Sequence, residues 1–394
     1  MKFYYNSIKL FAVSMLVATN LSCSSDDDSS SINGTEVTAP DTYVFERQGE
    51  STVSFAGQTA RLEMAASLFN KLNDENVDGS LLLEMFNDGT GFTADDDASQ
   101  QEIDAIEALN NSGKKLGSKT AAYGHESVQP KIAGFLTEYA NSVSTNFIVD
   151  ASAGIAGRIA TTSRTVYVND KGMEINQVFA KSLIGALVMD QVAYGYLSEV
   201  KIGDAVDNDA SALVAAGEYT TMEHHFDEGF GYVYGQESDI TTAATPQGNG
   251  ILFNKYLKKV DADEEPGLAM EIYDAFVAGR AAIVAGNSTV RDAQAEIVKT
   301  KMSLVILHKA AGYLREAAIK RAAAEVNYAE YFHDLYEGYG FILSLQFTYD
   351  ADGMSYFSHS EVDAMLSILE SGDGFWDRTA NELNYLAAQV EAKL

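Results

Sequence analysis

The chain has 394 residues, 46% of them hydrophobic, with 27 basic against 57 acidic side chains and a formal net charge of −30. That apolar share, with 21 tyrosines and 19 phenylalanines, is enough to bury a substantial core. The acid excess would repel nucleic acid and anionic headgroups, which excludes nucleic acid as a partner.

The chain opens with Lys2, Lys9 and an apolar run over residues 10–18, the layout of a secretory signal. The run is too short to cross a membrane as a helix. Behind it stands Cys23, the only cysteine. Leu21-Ser22-Cys23 resembles a bacterial lipobox, in which the cysteine is lipidated and becomes the first mature residue. The acidic run Asp26-Asp27-Asp28 resembles the signal that sends Bacteroidetes lipoproteins to the outer face of the outer membrane. The expectation is a signal peptide over 1–22 and a protein anchored by lipid at Cys23 and exposed at the surface. Removing residues 1–22, which hold two lysines and no acid, takes the charge to −32. With Cys23 lipidated, no disulfide, cysteine nucleophile or thiolate ligand remains.

Residues 23–42 are rich in Ser, Asp and Thr and read as an acidic tether. A short extended piece is expected over 42–55. From there to 394 helical spacing dominates, and only four prolines occur in the whole chain. Helices are expected over 58–73, 94–111, 129–147, 174–200, 218–234, 251–260, 264–285, 289–324, 326–347, 360–369 and 377–393. The clearest strand is 164–168. The fold class is therefore all-α, built of helical bundles, with a candidate division into two halves near 237–250.

Two helices concentrate polar chemistry. In EHHFDEGFGYVYG (223–235), His224 and Glu228 are four residues apart, His225 and Glu228 three, and Asp227 follows His224 by three. On a helix such pairs share a face and suit a cation such as iron, zinc or manganese. In AEYFHDLYEGYGFILSLQF (329–347), His333 and Glu337 repeat the four-residue spacing. Both stretches read His, acid, Gly, aromatic. The candidate site brings His224 or His225 with Glu228 against His333 and Glu337. The competing reading of the same pattern is close packing of one helix on another. His308 is a lone histidine beside an apolar face. The loop 349–361 places Asp350, Asp352 and Glu361 as in a calcium loop but lacks its sixth-place glycine, and reads as a turn. GxSxG, a phosphate loop, a dinucleotide fingerprint and HExxH are all absent, which disfavours most hydrolases and nucleotide-driven enzymes.

Thr42 to Met64, Glu174 to Gln191, EHHFDEGFGYVYG and Glu337 to Leu345 resemble a Bacteroidetes lipoprotein family of unknown function. Its members are often encoded beside imelysin-like lipoproteins and TonB-dependent receptors, which implies a part in iron or other metal acquisition and makes those proteins candidate partners. Imelysin-like proteins are paired helical bundles with a GxHxxE motif. Here Glu223-x-His225-x-x-Glu228 keeps the His and the Glu but replaces the Gly. The resemblance implies a surface lipoprotein that binds rather than catalyses. The alternatives are an imelysin-like metal-dependent peptidase and a structural or adhesive surface protein.

Overall fold

Helical periodicity governs most of the chain beyond residue 55. The computed structural model describes residues 35–394 other than 96, 163, 215–217, 243 and 246. The signal, Cys23 and the first part of the tether lie outside the described residues. Within them 13 helices and two small strand pairs make a predominantly all-α protein.

The expected extended piece contains a tight hairpin: β1 (Glu46–Arg47) pairs antiparallel with β2 (Glu50–Ser51). Gln48 and Gly49 both take positive φ at its turn, as the favoured two-residue connection needs. Then come α1 (Ala56–Lys71), α2 (Gly79–Asn87) and α3 (Gln100–Asn110). The short α2, absent from the sequence reading, is capped by Asp78, whose carboxylate accepts from the Ser80 amide at 2.8 Å. The third helix starts later than expected. Ser99 and Glu102 form its capping box, so Asp95 and Asp97 precede the helix. Next is α4 (Val128–Glu138), which runs into a π turn over Tyr139–Val143. The expected strand at 164–168 is β4 (Thr165–Val168), paired antiparallel with β3 (Gly157–Ala160).

The expected helix over 174–200 is present but not uniform. It is α-helical in α5 (Ile175–Leu183), widens to π geometry over Ile184–Tyr196, and is followed by the short α6 (Glu199–Ile202). Every residue from 175 to 197 except Gln177 and Tyr194 is buried. A helix apolar on all sides belongs inside a bundle, and this one is the hub. Backbone groups freed by the change of geometry find side-chain partners. The Ser344 hydroxyl accepts from the Gly185 amide at 2.9 Å and donates to the Lys181 carbonyl at 3.0 Å. Asp190, fully buried, accepts from the amides of Ala122 and Tyr123 at 2.8 and 3.2 Å. That pair of bonds holds a loop in which Ala121 has φ +51, a costly conformation for a residue with a Cβ.

The chain continues with α7 (Thr221–Tyr234), α8 (Phe253–Asp263), α9 (Leu268–Ala285), α10 (Ser288–Arg321), α11 (Tyr328–Ser344), α12 (His359–Glu370) and α13 (Ala380–Glu391). At 34 residues α10 is roughly 50 Å long. It packs along α9, α11 and α13, while α11 lies on α5, and α7 lies on the π segment, α1 and α9. Residues 35 onward belong to one compact unit that runs through 237–250. Among the described residues no helix is long and apolar enough to cross a membrane.

Candidate functional site

Helix α7 is set by a capping box: the Thr220 hydroxyl accepts from the Glu223 amide, and the Glu223 carboxylate accepts from the Thr220 amide at 2.7 Å. This turns Glu223 and Asp227, one helical turn apart, toward α9. Asp227 is fully buried, and its Oδ1 accepts from Arg280 Nε at 3.0 Å and from the Tyr43 hydroxyl at 2.8 Å. Arg280 also bonds Glu223 at 3.1 Å and the Thr52 hydroxyl at 3.0 Å. Arg47 clamps Glu223 from the hairpin at 2.9 and 3.1 Å. The Tyr43 ring stacks on Phe230 at 3.7 Å. Burial pushes the Asp227 carboxyl up to about 6, and Arg280, Tyr43 and Ser54 resist it. Arg280 and Tyr43 on Oδ1 and the Ser54 amide on Oδ2 occupy both oxygens of Asp227.

On the half-buried flank of α7 stand His224, His225 and Glu228. His225 donates from Nδ1 to the Lys201 carbonyl at 2.7 Å, which leaves Nε2 as an acceptor, and the Lys201 ammonium fills that position at 3.4 Å. The nitrogen that would ligate a metal therefore faces a cation. Burial lowers the His225 pKa; the bond to the Lys201 carbonyl resists, and the Lys201 ammonium adds to the lowering. His224 stacks on Tyr219, with Nε2 3.9 Å from Glu228. Glu228 accepts from Gln58 Nε2 at 2.9 Å.

Helix α11 solves its burial differently. Glu337 is buried and pairs with Lys181 at 3.2 Å, and it accepts from the Tyr256 hydroxyl at 3.2 Å. Burial opposes ionisation of Glu337, but Lys181, the Tyr313 hydroxyl, His333 and Lys259 together hold its carboxyl down to about 2. His333 bonds the Tyr336 hydroxyl at 2.9 Å. Burial, with Arg164, Lys181 and Lys320 adding to it against Glu337, takes His333 down to about 4. Glycines allow this proximity: a Cβ at Gly340 would overlap Lys181, and one at Gly231 on α7 would overlap Phe55.

Among the described residues no three His, Cys, Asp or Glu side chains converge as a metal ion requires. The structure thus gathers His224, His225 and Glu228 in one place and His333 with Glu337 in another, each with its own cations. His308 faces Glu265 at 3.2 Å. In the loop 349–361 the Asp350 carboxylate is spent on the amides of Asp352 and Met354, and Glu361 caps α12 with Ser358. Elsewhere, a recess of about 430 Å³ lies where α9 ends and α10 begins; its Arg291 is paired with Asp204 at 3.0 Å and Asp292 at 2.8 Å.

A family model described as a domain of unknown function, DUF4856, matches residues 40–394. The chain belongs to this family. No curated protein and no solved structure was found to match it. In this DUF4856 chain the polar residues that sequence reasoning missed are Arg280, Lys181, Arg47 and Tyr43. Two of them carried a signal. Arg280 sits in FVAGRAAIVA and Lys181 in VFAKSLIGALV, single cations inside apolar helical runs. A charge so placed must be buried with a partner, and the carboxylates on the apolar faces of α7 and α11 were candidates for it. Arg47 and Tyr43 gave no such signal, because a hairpin's docking site is set by tertiary packing.

Proposed function

We propose that this DUF4856 protein is a Bacteroidetes outer-membrane lipoprotein, anchored through Cys23 and exposed at the surface, that acts by binding in the acquisition of iron or another metal. An imelysin-like lipoprotein or a TonB-dependent receptor is the partner class. The observation that supports binding over catalysis is the commitment of its acid–base groups. Asp227 and Glu223 are fixed to arginines, Glu337 to a lysine, and His225 to the Lys201 ammonium. A general base needs a free lone pair within reach of a substrate proton. The anchoring rests on the lipobox-like Leu21-Ser22-Cys23 and the acidic run behind it. Because the His225 Nε2 faces the Lys201 ammonium, the metal is read as arriving in a chelate or in a partner rather than as a bare ion.

Labelled palmitate tests the anchor. The parent chain incorporates label and Cys23→Ala does not; equal labelling of the two refutes the lipidation. Deletion of the gene should slow growth when iron or zinc is limiting and leave rich-medium growth unchanged. Equal growth in both media refutes the link to metal acquisition.

A further inference from the structure

In a chain with thirty more acids than bases, cations without carboxylate partners are unexpected. Three of them gather on the flank of α7. Lys119 has no carboxylate within 4 Å among the described residues, and its ammonium donates to the Tyr196 hydroxyl at 3.2 Å while lying 5.3 Å over the ring. Among the described residues the Lys201 ammonium meets only His225. Arg61 is buried and bonds two backbone carbonyls, those of Gly57 at 3.0 Å and Lys115 at 3.2 Å. Gln58, one helical turn before Arg61, links Tyr196 to Glu228, at 3.4 and 2.9 Å. The Tyr232 ring lies 6.0 Å from Tyr196, and its hydroxyl, on a side chain only 1% exposed, lies beside Arg61 and has no acceptor for its proton among the described residues. Glu228 is the one acid at the surface of this group, with Asp190 behind it.

Each cation here raises the electrostatic cost of the others. Burial lowers the Lys119 pKa, and Arg61 and Lys201 add to that while Glu228 resists. An oxyanion would remove the mutual repulsion and give the buried Tyr232 hydroxyl an acceptor. A divalent cation would meet three positive charges and a histidine nitrogen already occupied. We infer that the flank formed by Lys119, Lys201, Arg61, Gln58, Tyr196 and Tyr232 is an anion site that takes the carboxylate or phosphate group of a small molecule. Lys119 and Lys201, half-exposed, supply the mobile charge, Arg61 a fixed charge behind them, and the tyrosines and Gln58 the directional bonds. Glu228 works against the anion and sets its affinity. The inference deepens the binding reading and rests on it, but it stands without the lipid anchor or the partner.

Calorimetric titration of the full chain in detergent with citrate, with inorganic phosphate and with zinc tests it. Citrate or phosphate should bind, and preference between them identifies the headgroup. Lys119→Gln and Lys201→Gln should each weaken that binding about tenfold, about one charge-assisted contact, with an unchanged melting curve. Glu228→Gln should tighten it several-fold, whereas a cation site at this place would lose zinc binding in the same variant. Absence of binding by both anions, or affinities unchanged in both lysine variants, overturns the inference. Either result leaves palmitate labelling and growth under metal limitation untouched, so the two readings fail separately.

Discussion

Helices α7 and α11 carry the same written pattern and use it in different ways. On α7 the buried acids, Glu223 and Asp227, meet Arg47 and Arg280 in a network that ties the amino-terminal hairpin to α7 and α9. On α11 the acid Glu337 meets Lys181 of the central helix, with the Tyr256 hydroxyl donating to the same oxygen. The planar guanidinium can serve two carboxylates and a hydroxyl at once; the lysine serves as a point charge in a narrow space. Glycine serves both helices alike, by admitting a neighbour. The shared pattern is thus the mark of two close helix contacts with charge inside them.

The comparison can be broken by removing its cations. Arg280→Met leaves Asp227 and Glu223 buried against one partly exposed arginine and should cost about 3–5 kcal/mol in urea unfolding. Lys181→Met should cost less, because Tyr256 still donates to Glu337, and joining it to Glu337→Gln should recover most of the loss. Equal losses for the two single variants would mean that the tyrosine shell contributes nothing.

Glycine variants sharpen the packing half of the comparison. Gly340→Ala and Gly231→Ala force overlap with Lys181 and Phe55 and should each cost about 1–3 kcal/mol. At Gly338 the new Cβ would stand 3.4 Å from Tyr313. Ordinary contact there lets helix propensity decide, and Gly338→Ala should be neutral or stabilising by up to about 1 kcal/mol. A loss at Gly338 as large as at Gly340 would refute the assignment of close approach to Gly340.

The smallest effect is in pH. Histidine in an unfolded chain titrates near 6.5, and His333 is held down to about 4 in the fold. As pH falls through that interval the unfolded chain takes the proton first, so stability is lost with acidification. Asp227, pushed up to about 6, acts with the opposite sign: it loses stability as pH rises from about 3.9 toward 6. His333→Gln should remove one arm and lessen the acid loss between pH 6.5 and 4 by about 1–2 kcal/mol, after allowance for solvent screening. An unchanged stability profile would show that His333 titrates alike in the folded and unfolded states.

Most helices were legible because an apolar face repeating every three to four residues needs no tertiary information. The helix over 268–285 came from that period, and the strand at 165–168 from a run of β-branched and aromatic residues. Helix α2 was not legible, since nine residues hold too few turns for a period to show. The change from α to π geometry at Ile184 was hidden as well: it depends on Ser344, which approaches Gly185 from 159 residues away. At the candidate site the sequence showed which side chains share a helical face and could not show what faces them. Lys201 opposite His225 and Lys181 opposite Glu337 are facts of packing. Lys119 reaches Tyr196 from a single 3-10 turn, too short for a period to show.

The widened turn over Ile184–Tyr196 sets a phase along the central helix. A one-residue change in an α-helix rotates everything beyond it by about 100°. Lys181 before the run points to α11, and Asp190, Tyr194 and Tyr196 within it point to the 121–123 loop, to Thr348 and to Lys119. Those directions agree with their partners only at the present register. Loss of a single residue from the run would act as a rotation rather than a shortening, and would part the two ends of the hub from their surroundings. The run is therefore the stretch of this protein where an insertion or deletion has the fewest places to hide.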